Sequence, residues 1–81
     1  MALIGKVGEY DSSCEDLSSY EERLEQFFLA NGVKTDRRVA VFLSVIGAKT
    51  YGLLKSLIMP DKPSEKTYDE LITVLKKTLD S

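Results

Sequence analysis

The sequence predicts an all-α fold: a compact bundle of four main helices preceded by an extended N-terminal arm. In four segments, apolar residues recur at three- and four-residue steps, which is the period of an amphipathic helix. Glycine or proline separates these segments, so each helix must be short. A chain of 81 residues has room for one small core. We therefore expect residues 1–15 to form the arm and residues 16–81 to form a single helical domain.

The arm is expected because the first fifteen residues do not follow the helical period. Gly5 and Gly8 interrupt them, and a polar run follows at residues 11–15. Before that run stand the apolar Ala2, Leu3, Ile4 and Val7. They predict a short extended segment that lies on the core, and a frayed tail is the alternative.

The first helix is predicted to begin at Asp16 or Ser18, both of which can cap free N–H groups. Ser18 also stands three residues before Glu21, which is capping-box spacing. The helix is expected to end at Asn31-Gly32, because both residues tolerate the left-handed conformation that commonly ends helices. Its predicted core residues follow the helical period: Leu17, Tyr20, Leu24, Phe27 and Phe28.

The second helix is predicted to be capped by Thr35 or Asp36 and to end at Gly47. It is apolar on most sides, with one face predicted to join the core: Phe42, Leu43 and Ile46. A second stripe, Val41 and Val45, is harder to bury in so small a domain, and it predicts contact with another copy of the chain. Arg37 and Arg38 are expected to be exposed.

Residues 49–59 are predicted to form the third helix, with Tyr51 and Leu54 in the core. Gly52 should weaken this helix by about 1 kcal/mol relative to alanine, so we expect close packing to require it there.

Two prolines in "MPDKPS" end the third helix, and Thr67 is expected to begin the fourth in a capping box with Glu70. The predicted core residues of this last helix are Tyr68, Leu71 and Leu75.

Composition argues against an enzyme. The chain has no histidine and one cysteine, Cys14, so it can build neither an intrachain disulfide nor a Cys/His zinc site. We predict no cofactor, no metal site and no catalytic residue. The sequence contains no run near the ~18 apolar residues of a membrane span and no signal-peptide pattern at its start. We therefore expect an intracellular, cytoplasmic protein without a membrane partner.

Charge is distributed unevenly along the chain. Residues 1–33 carry two basic and seven acidic side chains, a net charge of −5, whereas residues 34–81 carry nine basic and six acidic ones, a net charge of +3. This polarity favours head-to-tail assembly, with ordinary surface variation as the alternative. In such an assembly, Arg37 and Arg38 are candidate partners for acidic residues of a neighbour: Glu21, Glu22 and Glu25. Direct nucleic-acid binding is disfavoured, because no exposed aromatic is expected among the basic residues.

The order of these features resembles the N-terminal capsid lobe of Gag polyproteins from gypsy-class LTR retrotransposons. The resemblance rests on "SYEERLEQFFLANGV" at 19–33, "RRVAVFLSVIGAKTYGLLKSLIMPDKP" at 37–63 and "TYDELITVLKKTL" at 67–79. It spans residues 17–79. Where the family often has tryptophan near the start of the first helix, this chain has Leu17.

The resemblance implies a structural function. Related lobes occur in retroviral capsids and in Arc, where the fold is all-α, and capsid lobes line shells of hexamers and pentamers. We therefore expect a domain that self-associates into a virus-like particle enclosing element RNA. Alone, the domain is expected to be a monomer or dimer, and its RNA contacts are expected to lie in regions beyond Ser81. The alternative is a domesticated, Arc-like module that binds a peptide in a hydrophobic groove, with the arm either filling that groove or pairing with another arm.

Overall fold

Four α-helices make up most of the fold in a computed structural model, which describes Gly5 and residues 7–79. They are α1 (Leu17–Ala30), α2 (Arg38–Val45), α3 (Ala48–Ile58) and α4 (Tyr68–Leu79). Short 3-10 turns, Thr35–Arg37 and Pro63–Glu65, precede α2 and α4. The described residues contain no strand. Their radius of gyration is 12.2 Å, close to the ~12 Å of a compact chain of this length. The predicted all-α globule of four helices is confirmed.

Helix α1 begins where Asp16 accepts a hydrogen bond from the Ser19 N–H, at 2.9 Å. The helix already includes Ser18, so the alternative cap at Ser18 is wrong. The buried face of α1 is the predicted one: Leu17, Tyr20, Leu24, Phe27 and Phe28. Spacing alone identified this face because α1 is long enough to show its period over several turns.

The end of α1 is a Schellman motif, as Asn31-Gly32 indicated. Gly32 adopts φ +59°, and its N–H donates to the Leu29 carbonyl at 3.3 Å. The Val33 N–H donates to the Phe28 carbonyl at 2.9 Å. These two bonds satisfy carbonyl groups that the helix itself leaves free.

Helix α2 starts later than predicted. Residues 35–37 form a 3-10 turn, α2 begins at Arg38, and neither Thr35 nor Asp36 caps it through a side chain. The helix is only eight residues long. Phe42 is fully buried and Ile46, directly after α2, is 1% exposed, whereas Leu43 is half-buried against the core.

Between α2 and α3 the chain turns by 118° at Ile46 and Gly47. Gly47 has φ +92°, a conformation that favours glycine, and the side chain of Glu9 lies 2.8 Å from where a Cβ would stand. Gly52 differs, because no atom outside its own stretch of helix lies within 4 Å of its Cβ position. The expectation that close packing requires Gly52 is therefore wrong.

Helix α3 turns Thr50 and Leu54 inward, and both are buried. Tyr51 was predicted in the core but is 37% exposed. It lies about 100° around the helix from the buried Thr50, on a side of α3 that other elements cover only in part. The neighbouring elements, rather than the apolar character of Tyr51, decide its exposure.

The capping box that begins α4 is confirmed. The Thr67 hydroxyl accepts from the Glu70 N–H at 3.1 Å, and the Glu70 carboxylate accepts from the Thr67 N–H at 2.9 Å. The bond that the Thr67 N–H donates to the carboxylate lowers the pKa of the Glu70 carboxyl. Beyond the cap, α4 buries Tyr68, Leu71, Ile72 and Leu75.

Two aromatic groups tie the core together. The Tyr68 ring packs edge-on against Phe28 and Phe42, with centroids 5.4 Å from each. The Tyr10 ring packs in the same way on Tyr20, at 5.3 Å. Such pairs contribute about 0.5–1.5 kcal/mol each beyond area burial.

The arm lies on its own domain from Val7 onward. Val7 is 9% exposed, and the Tyr10 N–H donates to the Ile46 carbonyl at 3.2 Å. The hydroxyl of Tyr20, which is fully buried, lies 2.9 Å from the Gly8 carbonyl and 3.4 Å from the Val45 carbonyl. Leu3 and Ile4, the other arm residues expected on the core, fall outside the described residues.

Replacing Tyr20 by Phe should loosen the arm. The change keeps the ring but leaves the Gly8 carbonyl without its donor, so we expect the free energy of unfolding to fall by about 1 kcal/mol. The Tyr10 amide should also exchange faster with solvent. Urea unfolding at pH 7 and hydrogen exchange measure these two effects, and unchanged Tyr10 exchange would contradict the role given to the hydroxyl.

The same variant should change the response to alkaline pH. Burial raises the pKa of Tyr20 from its ordinary 10.0 to about 12, so between these values the folded chain retains a proton that the unfolded chain loses. This contribution to stability is complete below about pH 10 and is lost as pH rises toward 12. Tyr20→Phe should therefore lose less stability than the parent between pH 9 and pH 11.5; equal losses would show that Tyr20 does not titrate in this way.

Gly47 and Gly52 form a matched pair for alanine substitution. Gly47→Ala should destabilise by more than about 1 kcal/mol, because its φ is positive and Glu9 occupies the Cβ position. Gly52→Ala should stabilise by about 0.5–1 kcal/mol, since the added methyl group meets open space on a helix. Thermal unfolding of both variants measures the difference, and a loss of stability in Gly52→Ala would restore the packing explanation.

Candidate interaction surfaces

Polar groups near the start of α1 bond mainly to one another. Among Gly5 and residues 7–79, no three His, Cys, Asp or Glu side chains come together in a way that could hold a metal ion. Cys14 is exposed, with its Sγ 3.5 Å from an Asp11 carboxylate oxygen. Hydrogen bonds from Ser13 lower the pKa of the Asp11 carboxyl. These contacts form a local turn that leads into α1.

The predicted assembly face of α2 is less available than its sequence indicated. Val41 and Val45 are half-buried and pack against the core. Arg37 is exposed, but Arg38 is half-buried, with its guanidinium carbon 5.3 Å from the centroid of the Phe28 ring. The expectation that Arg38 is exposed is therefore wrong. A cation is attracted to the face of an aromatic ring, and the end of α1 places Phe28 beside Arg38.

The acidic residues proposed as partners for a neighbour are divided between two roles. Glu21 forms an ion pair with Lys76 at 2.9 Å, which links α1 to α4 within one chain. Glu22 and Glu25 are exposed on the outer face of α1, where Leu29 is 70% exposed beside them. Glu22, Glu25 and Arg37 thus remain accessible to a neighbouring molecule.

The end of α3 carries exposed apolar surface that sequence reasoning placed elsewhere. Leu57 is 41% exposed and Met59 is 67% exposed. Together with the half-buried Val74 of α4, they line a groove of about 200 Å³, here called the α3–α4 groove. Three charged residues also line it: Asp61 and Lys66, which form an ion pair at 3.0 Å, and Glu70. The signal in the sequence was that α3 has more apolar faces than one core can cover.

A cavity of about 380 Å³, here called the arm cavity, lies between the arm, the start of α3 and the end of α4. Tyr10, Leu53 and Leu79 supply apolar walls, while Glu9 and Lys49 supply charges. Because Tyr10 is held by the Ile46 carbonyl, the docked arm is itself one wall of the cavity. A ligand in this cavity would therefore contact the arm directly.

No single helix in the described part of the chain is both long and apolar enough to cross a membrane. Among the described residues, Thr35–Val45 and α3 reach the length and apolar composition of a membrane span only when the two are joined. The chain bends by 118° between them.

Comparisons of this chain with protein-family models, with curated proteins and with solved structures found no match. The likeness to Gag capsid lobes therefore rests on the order of the sequence features.

Proposed function

We propose that this chain is a structural domain of the Gag capsid type, whose copies associate through weak, repeated contacts into a shell around element RNA. The observation that carries the proposal is the α3–α4 groove, where Leu57 and Met59 are left largely exposed. Association would remove this apolar surface from water. Individually weak contacts suffice in a closed assembly, because many of them act together.

The occupant of the groove in this proposal is the outer face of α1 from a second copy. That face carries Leu29, which is 70% exposed, and the acidic Glu22 and Glu25. The groove is lined by Asp61, Lys66 and Glu70, and the α1 face by Glu22, Arg23 and Glu25, so each surface carries charges of both signs. The contact would be head-to-tail, because each copy uses a different surface toward each neighbour.

Sedimentation measurements on Leu57→Ser, Met59→Ser and Leu29→Ser test this contact. The mass of the parent chain should rise between about 10 μM and about 1 mM. Each variant should weaken association about tenfold or more. Tyr51→Ser is the matched control, because Tyr51 is exposed on α3 but does not line the groove.

Mixing distinguishes a head-to-tail contact from a symmetric one. Leu29→Ser and Leu57→Ser each keep one intact surface, so an equimolar mixture should form heterodimers that neither variant forms alone. A parent chain that stays monomeric at the highest concentration, or a Tyr51→Ser variant as defective as Leu57→Ser, would reject the proposal. Dimers lost in Leu57→Ser but retained in Leu29→Ser would reject the head-to-tail geometry.

A second candidate function, peptide binding, is favoured by the arm cavity. Its apolar walls and the acidic Glu9 and Asp11 at its edge suit a peptide with apolar and basic side chains. A capped peptide of alternating leucine and lysine is a suitable probe. Leu53→Lys should abolish its binding, and unchanged affinity in this variant would reject the site. Because Glu9 lines the cavity, removal of residues 1–9 should weaken binding, whereas stronger binding would show that the arm acts as a plug.

A further inference from the structure

The end of α3 carries a methionine that is largely open to solvent. Met59 directly follows α3 and is 67% exposed. The chain has two methionines, and Met59 is the one that lies among the described residues. It lines the α3–α4 groove together with Leu57 and Val74. A sulfur-containing side chain therefore supplies part of the apolar surface on which the proposed assembly contact depends.

A peroxide oxidises such a methionine by oxygen transfer. The thioether sulfur gives an electron pair to one oxygen of hydrogen peroxide, and the O–O bond breaks. The hydrogen of the transferred oxygen moves to the departing oxygen, which leaves as water, and the sulfur becomes a sulfoxide. Peroxide is small and uncharged, so Asp61, Lys66 and Glu70 at the groove do not exclude it. Because Met59 is exposed in the free chain, the reaction requires no unfolding.

The sulfoxide changes the chemistry of the groove. A thioether packs as an apolar group, whereas a sulfoxide is polar and its oxygen requires a hydrogen-bond donor. In the proposed contact, Met59 meets the outer face of α1 from a second copy, where Leu29 is 70% exposed. Leu29 has no donor, and the ionised Glu22 and Glu25 beside it present only acceptors. Burial of the sulfoxide oxygen against this surface therefore costs free energy.

The remaining polar groups of the α1 face compensate poorly for this change. Arg23 is the cation of that face, and its guanidinium is already bonded to Glu15 of the same chain. Gln26 also has a side-chain donor there, but its amide would have to exchange a hydrogen bond with water for the one to the sulfoxide. Oxidation of Met59 should therefore weaken the contact.

We propose that Met59 is a redox-sensitive modification site, whose oxidation to the sulfoxide releases the α3–α4 groove from the α1 face of a neighbouring copy. This inference rests on the assembly contact of the proposed function and adds its regulation. A methionine sulfoxide reductase would reverse the change: two thiols supply two electrons and two protons and become a disulfide, and the sulfoxide oxygen leaves as water. Reducing conditions would favour association, and peroxide would oppose it.

Sedimentation of peroxide-treated protein tests the proposal. The full chain is used with Cys14→Ser, because the exposed Cys14 would also be oxidised. After peroxide has been removed, mass measurement of the peptide that contains Met59 verifies the gain of one oxygen atom. The dissociation constant of the oxidised chain should be at least about tenfold higher than that of the reduced chain. Treatment with a methionine sulfoxide reductase and dithiothreitol should restore it.

Two substitutions at the same position separate oxidation of Met59 from other effects of peroxide. Met59→Leu, made together with Cys14→Ser, keeps an apolar side chain of similar volume without sulfur. It should associate within about twofold of the parent and should not respond to peroxide. Met59→Gln introduces a polar side chain of similar length and should associate as weakly as the oxidised chain without any peroxide. Since Met59 is exposed, oxidation and both substitutions should leave the melting temperature within about 2 °C.

Failure of this inference and failure of the proposed function give different results. A Cys14→Ser chain that stays monomeric at about 1 mM before treatment rejects the assembly contact, and the inference with it. Equal association of the reduced and the oxidised chain leaves the contact in place and overturns the inference. Equal losses on treatment in the parent and in Met59→Leu would assign the effect to another residue. A fall in melting temperature of more than about 4 °C on oxidation would attribute the loss of association to unfolding, and either result would overturn the role of Met59.

Discussion

The buried hydroxyl of Tyr20 is the contact on which the arrangement of the chain most depends. It donates to the Gly8 carbonyl in the arm and lies close to the Val45 carbonyl at the end of α2, while its ring belongs to α1. Three segments distant in sequence therefore meet at one atom. A buried carbonyl without a donor is costly, so the arm, α1 and the α2–α3 turn constrain one another. The positive φ of Gly47 and the nearby Glu9 side chain place the same turn against the arm.

This constraint determines which surfaces remain open. The arm covers the α2–α3 turn, and α2 packs between the other elements. The core therefore has no room for all of the apolar side chains of α3. Leu57 and Met59 are left exposed at its end, where α4 forms the other side of a groove. The proposed assembly contact is thus a consequence of a small core with more apolar side chains than it can enclose.

The two interaction sites differ in chemistry, and so do the partners they suit. The α3–α4 groove places the exposed Leu57 and Met59 beside three charged side chains and suits another protein surface. The arm cavity combines apolar walls with Glu9, Asp11 and Lys49 and suits a peptide segment.

The sequence by itself determined the features that depend on neighbours along the chain. The Asp16 cap, the Asn31-Gly32 end of α1 and the Thr67–Glu70 box are set by residues within a few positions of one another, and the period of α1 marks its buried face. Such local rules operate whatever the tertiary fold.

Only the tertiary structure decided how far each apolar or charged side chain is covered. Tyr51 is exposed, Gly52 faces open space and Arg38 is half-buried, each against the expectation from sequence. An apolar side chain can be buried at low cost. Whether it is buried depends on whether another element packs against that side of its helix. The same reason explains why Leu57 and Met59, rather than Val41 and Val45, offer the more exposed apolar surface: α2 lies against the core on both flanks, whereas the end of α3 extends beyond its neighbours.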